Sequence, residues 1–281
     1  MQKRRQGLVS RNGIEMKAAQ NYLALRLDDV GASSKKYEVY SNKYWNIGKI
    51  QISGNWLILK YLPSIKAWGP YREMKANEWY ILLGDLEKYN AKLTVAITAM
   101  WAESESSLIP FPKRFPDEAI AIKEGLGQGL LEIANHGLTH CVVERNAFRP
   151  KWFSGNRKFH REFGPHVSLD IQERHIQESQ KILEDWFETT VVTFVPPGNQ
   201  FIDSSLDLIA KHGLRVVSCN TTSRVISELT VVGNQDVFPF HDRDVVLGGM
   251  QWFRNVLEEN KDKHFCFIRD FAYTSIENSK S

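Results

Sequence analysis

A chain of 281 residues is long enough for one α/β barrel or two small domains. With 42% hydrophobic and 25% charged residues it can bury a sizeable core, and a net charge of +3 is too small to argue for nucleic acid. No run approaches the ~18 apolar residues of a membrane span, and "MQKRRQGLVSRNGIEMK" carries charge without the apolar core of a signal peptide. The cluster Lys3, Arg4 and Arg5 reads as a solvated tail. Three cysteines without a CxxC pair (Cys141, Cys219 and Cys266) suggest reduced thiols and a cytoplasmic protein.

The first element, "YLALRLDD", alternates apolar residues and ends in acid, so it predicts a strand with Asp28 and Asp29 at its C-terminus. Residues 33–75 read as an irregular insertion with short β-like runs, "KIQIS" and "WLILKYL". "NEWYILLGDLEKYNA" has helical spacing, and "KLTVAIT" after it reads as a buried strand. "DEAIAIKEGLGQG" is a helix with a glycine stop, followed by "LLEIANHG", a strand running into a loop. Residues 144–168 read as a long loop. "SLDIQERHIQESQKILEDWFE" is an amphipathic helix, "VVTFVPPGN" a strand into a Pro-Gly loop, "SSLDLIAKHG" a helix and "LRVVSCN" a strand. "DVFPFH", "GGMQWFRNVLEEN" and "HFCFIRDF" complete the order as strand, helix and strand. Helices alternating with apolar strands imply a mainly parallel sheet, open or closed into a barrel.

Chemistry in such folds gathers at strand C-termini. Asp28, Asp29, His136, Pro197 and His241 all fall at or just past predicted strand ends. A catalytic zinc takes about three protein ligands and keeps one position open. His136 and His140 offer two, on one face if their segment makes a helical turn; Asp28 or Asp29 can supply the third. Neighbouring residues of a regular strand point opposite ways, so one aspartate can bind metal while the other takes a proton from water. A metal would acidify water and polarise a carbonyl, and His241 is a candidate to protonate the leaving group. Each piece alone has an ordinary reading: two neighbouring histidines, a solvated Asp-Asp turn, a hydrogen-bonded strand-end histidine, and a buried apolar Cys141.

In this order the residues resemble the polysaccharide deacetylases, carbohydrate esterase family four of the NodB-homology group. "RLDDVG" is similar to that family's T-F-D-D-G motif, "NHGLTH" to N-H-[ST]-x-x-H, and "FVPPGN" to F-R-P-P-[YFG]-G. The resemblance spans about residues 22–270 and implies a single domain, 1–281, folded as a distorted (β/α)7 barrel. It implies metal ligation by Asp29, His136 and His140, zinc being the usual divalent ion. It also implies Asp28 as general base, an oxyanion-binding N–H just after Pro197, near Gly198, and His241 as general acid. Four positions depart from the pattern, one being Gly198 in place of the motif-three aromatic. Gly137 stands in the hydroxyl position, Val195 replaces the arginine that steadies the base, and Pro239 replaces a leucine. Arg26, Arg243 or Arg269 could replace that arginine in space. The departures resemble divergent branches associated with surface-polysaccharide (O-antigen) biosynthesis.

Residues 144–168 carry six Lys/Arg against two Glu. Arg149, Lys151 and Trp152 are candidates to meet an anionic sugar, against the plainer reading of a solvated basic loop. Residues 37–80 hold ten of the seventeen Trp and Tyr, a glycan platform or simply packed aromatics. The expectation is a metal-dependent amide hydrolase that removes an acyl group from a sugar or glycan precursor. The rivals are a hydrolase of a non-sugar amide and a glycan-binding protein that has kept the fold without the activity.

Overall fold

The computed structural model describes residues 21–56, 58–104, 107–140, 162–221, 224–226 and 229–270. The basic N-terminal cluster, Cys141, and the candidates Arg149, Lys151 and Trp152 lie outside the described residues. In chain order the strands are β1 (Tyr22–Val30), β2 (Tyr44–Ile47), β3 (Ile50–Ser53), β4 (Leu93–Ile97), β5 (Met100–Ser104), β6 (Ser107–Pro110), β7 (Leu131–Asn135), β8 (Thr193–Phe194), β9 (Val216–Ser218), β10 (Arg224–Ile226), β11 (Leu229–Val232), β12 (Val237–His241) and β13 (His264–Cys266). The helices are α1 (Ala76–Lys88), α2 (Phe111–Arg114), α3 (Pro116–Gly127), α4 (Leu169–Phe187), α5 (Asp203–Lys211), α6 (Asp242–Gly248) and α7 (Met250–Glu259).

Seven neighbouring strands, β11-β9-β8-β7-β4-β1-β12, run parallel, with β13 also parallel to β1 and β10 antiparallel at the β11 edge. The alternation seen in "YLALRLDD" divides β1 between two environments. Leu25 and Leu27 pack outward into the large core beneath the helices, whereas Ala24, Arg26 and Asp28 face the other way. The sheet curls on itself: Arg26 on β1 donates a hydrogen bond to Ser218 Oγ on β9 at 2.9 Å, although β4, β7 and β8 lie between them. Ala24, Val216, Val232, Val237 and Ile268 form one apolar plug at the same interior. This is a distorted (β/α) barrel, and among the described residues no ladder joins β11 to β12.

Small side chains (Ala96, Ala134 and Val195) leave interior room for larger polar ones. Buried Glu132 accepts from Thr94 Oγ1 at 2.7 Å, from Thr193 Oγ1 and from the Arg269 N–H at 3.3 Å. Its surroundings are therefore satisfied although dry, as buried polar groups require.

Several local expectations change. "WLILKYL" forms no strand; Leu59–Tyr61 is a short 3-10 helix, and Trp56, Tyr61 and Leu62 stay exposed, so no sheet face claims them. "VVTFVPPGN" yields only Thr193–Phe194, because Pro196 and Pro197 offer no N–H to extend the ladder. The final strand stops at Cys266. The β5–β6 hairpin and α6 had no clear period to announce them.

Candidate active site

The last residues of β1 break the strand's regularity. The β1–β4 register shifts between Leu27 and Val30, and Asp29 adopts φ 69°. In a regular strand two consecutive carboxylates would face opposite sides. The irregularity turns Asp29 toward His136 and His140 while Asp28 continues the inward set of Arg26.

The histidine pair is brought together differently from the helical turn expected. Residues 136–140 form an irregular loop after β7, with Gly137 at φ 78° and His140 at φ 64°. The two imidazole centroids lie 5.1 Å apart. Asp29 Oδ1 is 3.2 Å from His136 Nε2 and 3.0 Å from His140 Nε2. Left-handed backbone at non-glycine residues costs about 1–3 kcal/mol each and gathers at functional sites. Among the described residues, three of the five such positions (Asp29, His140 and Asn199) fall in the three motifs.

The donor set fits a divalent metal. His136 Nδ1 donates to the Val195 carbonyl at 2.7 Å, which leaves its Nε2 with a lone pair aimed at a carboxylate oxygen. Two acceptors facing one another call for a cation between them. Ligands held ~2.0–2.1 Å from a tetrahedral zinc are roughly 3.3 Å apart along each edge, close to the spacings observed. One carboxylate and two imidazoles, all within 4.8 Å of one another, leave further positions open.

Glu162 braces this loop. Its Oε1 accepts the N–H groups of Leu138 (2.9 Å) and Thr139 (3.3 Å), its Oε2 accepts that of His140 (3.1 Å), and His175 Nδ1 also contacts it. The side chain is fully buried. A Cβ on Gly137 would run into Glu162 Oε2 and come within 3.1 Å of Pro197 Cγ. Gly137 and Glu162 are thus a matched pair: the missing side chain makes room for the carboxylate.

Val195 offers Asp28 no cationic partner, and Arg26 supplies one. Arg26 Nε donates to Asp28 Oδ1 at 2.9 Å and its Nη2 to Oδ2 at 2.8 Å, a bidentate pair in a dry interior. Nη2 also reaches Asn199 Oδ1 at 3.4 Å, and Asn199 Oδ1 accepts the Asn220 N–H at 3.1 Å, so motif three is tied to motif one. Arg243 and Arg269 have other partners. Arg243 Nη2 lies 3.2 Å from His241 Nδ1 and its guanidinium sits 4.3 Å over Trp68, while Arg269 lies over Phe267.

His241 Nε2 is 3.8 Å from Asp29 Oδ2. Burial alone would lower the His241 pKa, but the Asp29 carboxylate, with Asp244 and Asp28, pushes it up to about 9. Burial alone would raise Asp29; the imidazoles of His241 and His140 instead hold it well below the usual carboxylate range. Glu38, which the sequence did not single out, is pushed up by burial and then by Asp29, and also feels His140 and His241.

Behind His241, the ammonium of Lys35 contacts both Glu73 (2.7 Å) and Asp242, Tyr71 donates to Asp242 Oδ1 at 3.1 Å, and Glu73 Oε2 accepts the Gly31 N–H at 3.0 Å. Burial would strip the Lys35 proton, but the two carboxylates hold its pKa above the ordinary lysine value. This cluster fastens both ends of the 33–75 insertion to the loop after β1 and to the start of α6.

Pro197–Asn199 forms a single 3-10 turn with Gly198 at φ 64°. The aromatic-rich insertion divides in two. Tyr71 and Trp79 are buried and Trp68 is engaged by Tyr40 and Arg243, whereas Tyr44, Trp45, Trp56 and Tyr61 are exposed. Glu162 and Lys35 were illegible in sequence as parts of a site. The only trace of Glu162 was an acid in a basic stretch opposite an unexpected glycine.

The family model described as polysaccharide deacetylase matches residues 73–217, just over half of the chain. No curated protein sequence matches. Among solved structures, the chain is similar to the Xyl-CE4 domain of a multidomain xylanase from the hindgut metagenome of Trinervitermes trinervoides, at 11% identity over 91% of each chain and a TM-score of 0.49. It is similar to a family 4 carbohydrate esterase from Streptomyces lividans at 13% identity, over 88% of this chain and 92% of that one, with a TM-score of 0.44. BA3943, a CE4-family pseudoenzyme from Bacillus anthracis, aligns at 16% identity over 70% of this chain, with a TM-score of 0.40; the chain spans 59% of its length.

Proposed function

The chain belongs to the polysaccharide deacetylase family, and from that premise we propose that it is a divalent-metal-dependent hydrolase removing an N-acetyl or similar acyl group from a sugar or glycan precursor. The observation that carries this reading is the convergence of Asp29, His136 and His140 beside Asp28, itself gripped by Arg26. A divalent ion, zinc by this donor set, would be held by Asp29 Oδ1, His136 Nε2 and His140 Nε2, and would polarise the substrate carbonyl and acidify water.

The chain's own groups do the rest. Asp28 takes a proton onto a carboxylate oxygen; Arg26 occupies one lone-pair direction on each oxygen and leaves others free. The Gly198 N–H donates to the negative charge that develops on the acyl oxygen. His241, whose Nδ1 lies 3.7 Å from Asp244, carries the proton for the departing amine. Arg149, Lys151 and Trp152 contact an anionic part of the substrate. The motif departures support a surface-polysaccharide branch such as O-antigen biosynthesis, and three cysteines without a CxxC pair favour a glycan precursor handled in the cytoplasm.

Purified protein tests this reading by metal analysis and acetate release. The wild type is expected to hold about one equivalent of divalent metal and to release acetate from at least one N-acetylated glycan, whereas Asp29→Ala/His136→Ala does neither. A metal-free, inactive wild type refutes the hydrolase and leaves a glycan-binding protein. Metal with release only from cyclic or linear non-sugar amides moves the substrate class.

A further inference from the structure

The 33–75 insertion contains a surface the proposed chemistry does not use. β2 and β3 form a two-stranded sheet that, among the described residues, joins no other strand. Its register places Trp45 opposite Ile52 and Ile47 opposite Ile50, so these four side chains share one face. Tyr44, Asn46, Gln51 and Ser53 share the other. Such alternation normally marks a face packed on a core. Here Ile47 and Ile50 are 65% and 68% exposed, at the tip of the hairpin on either side of Gly48 and Lys49.

The next segment adds to this apolar surface. Trp56, Ile58, Tyr61 and Leu62 are all exposed. It is tied to the hairpin through Ser41 Oγ to the Ile65 carbonyl (2.7 Å) and Lys43 Nζ to the Ser64 carbonyl (2.6 Å), so the two form one lobe. Charge decides what this lobe fits. Between Glu38 and Glu73 stand Lys43, Lys49, Lys60, Lys66 and Arg72 and no acidic residue, where the chain's average of 33 acidic residues in 281 would place about four. Exposed Trp, Tyr and Ile beside lysines, with acids excluded, match the depth profile of a bilayer interface: apolar groups at the acyl boundary, indoles at the headgroups, ammonium groups against lipid phosphates. A protein partner with a simple apolar pocket would give no reason for excluding acids.

We propose that the 42–62 lobe docks on an anionic lipid bilayer. No helix of the described residues is long and apolar enough to cross a membrane, so the attachment is peripheral. The base of the lobe joins the barrel through Lys35, Glu73 and the Tyr40–Trp68 bridge, and Trp68 carries Arg243 beside His241. Docking therefore brings the candidate site to the membrane surface. Resting on the hydrolase reading, this makes the substrate a glycan carried on a lipid anchor.

The full chain is sedimented with vesicles of phosphatidylcholine alone or with about 30% phosphatidylglycerol. Binding is expected to the anionic vesicles, to weaken at ~0.5 M salt as charges are screened, and to fall roughly tenfold or more in Ile47→Thr/Ile50→Thr and severalfold in Lys49→Glu. Threonine keeps strand propensity, and an unchanged melting temperature shows that the variant is folded. Equal sedimentation of wild type and Ile47→Thr/Ile50→Thr overturns the proposal. So does a concentration-dependent dimer lost in that variant without vesicle binding, which makes a second copy the occupant. Acetate release from soluble and from lipid-anchored N-acetylated sugars is scored separately. Binding without release keeps the docking surface and removes the hydrolase; release without binding does the reverse.

Discussion

Replacing Gly137 by serine restores the residue of the family pattern and, by the geometry here, damages the protein. The backbone at 137 has φ 78°, which costs a non-glycine residue about 1–3 kcal/mol. The new Cβ meets Glu162 Oε2 and comes 3.0 Å from its Cδ, so the carboxylate must move. Glu162 is fully buried and accepts three backbone N–H groups, those of Leu138, Thr139 and His140. Each buried donor left without a partner costs about 1–3 kcal/mol. With one or two lost, the total is about 2–9 kcal/mol, a large share of a domain's stability. At about 2–4 °C per kcal/mol for a chain of this size, that lowers the melting temperature by about 4 °C or more. His140 loses the bond on its own N–H, so metal affinity should fall as well. Thermal unfolding followed by circular dichroism, with metal content measured in parallel, reads both effects. Gly137→Ala isolates the clash from the hydroxyl and should behave alike. A Gly137→Ser protein that melts within a degree or two of wild type and keeps its metal refutes the idea that Glu162 rigidly braces the loop.

Arg26→Leu leaves a buried carboxylate without its bidentate partner; we expect about 3–5 kcal/mol lost in denaturant unfolding and roughly 10²-fold or more lost in kcat. Adding Val195→Arg to that variant should recover part of the activity, since Val195 faces the same interior; full activity in Arg26→Leu alone would show that Asp28 needs no cationic support. Burial, with Asp270, Glu132 and Asp236, pushes the Cys266 thiol up to about 12. At pH 8 its thiolate fraction is then on the order of 10⁻⁴, so iodoacetamide should label it far more slowly than a free thiol, and rapid labelling by peptide mass spectrometry would contradict this. Charge reversal at Arg149, Lys151 and Arg157 should raise KM at low salt, and an unchanged KM removes their proposed contact with an anionic substrate.

By itself the sequence determined the periodicities and the motif residues. "YLALRLDD", "KLTVAIT" and the long helix around residue 176 carry their period in consecutive residues, so local chemistry fixes them. The strand pattern also placed Asp28, Asp29, His136, Pro197 and His241 at or just past strand ends, and they lie in the last residues of β1 and β12 or just beyond β7 and β8. Tertiary structure decided what depends on residues far apart in the chain. Which arginine replaces the one missing at Val195 could not be read locally: Arg26, Arg243 and Arg269 were equal candidates until the curl of the sheet put Arg26 between Asp28 and Ser218. Glu162 carries no periodic signal, and its partner Gly137 looked only like a lost hydroxyl. The run "KIQIS" read only as β-like within an irregular insertion; only the fold pairs it with Tyr44–Ile47 and shows Ile47 and Ile50 turned outward, because nothing in a local pattern states what will cover a strand.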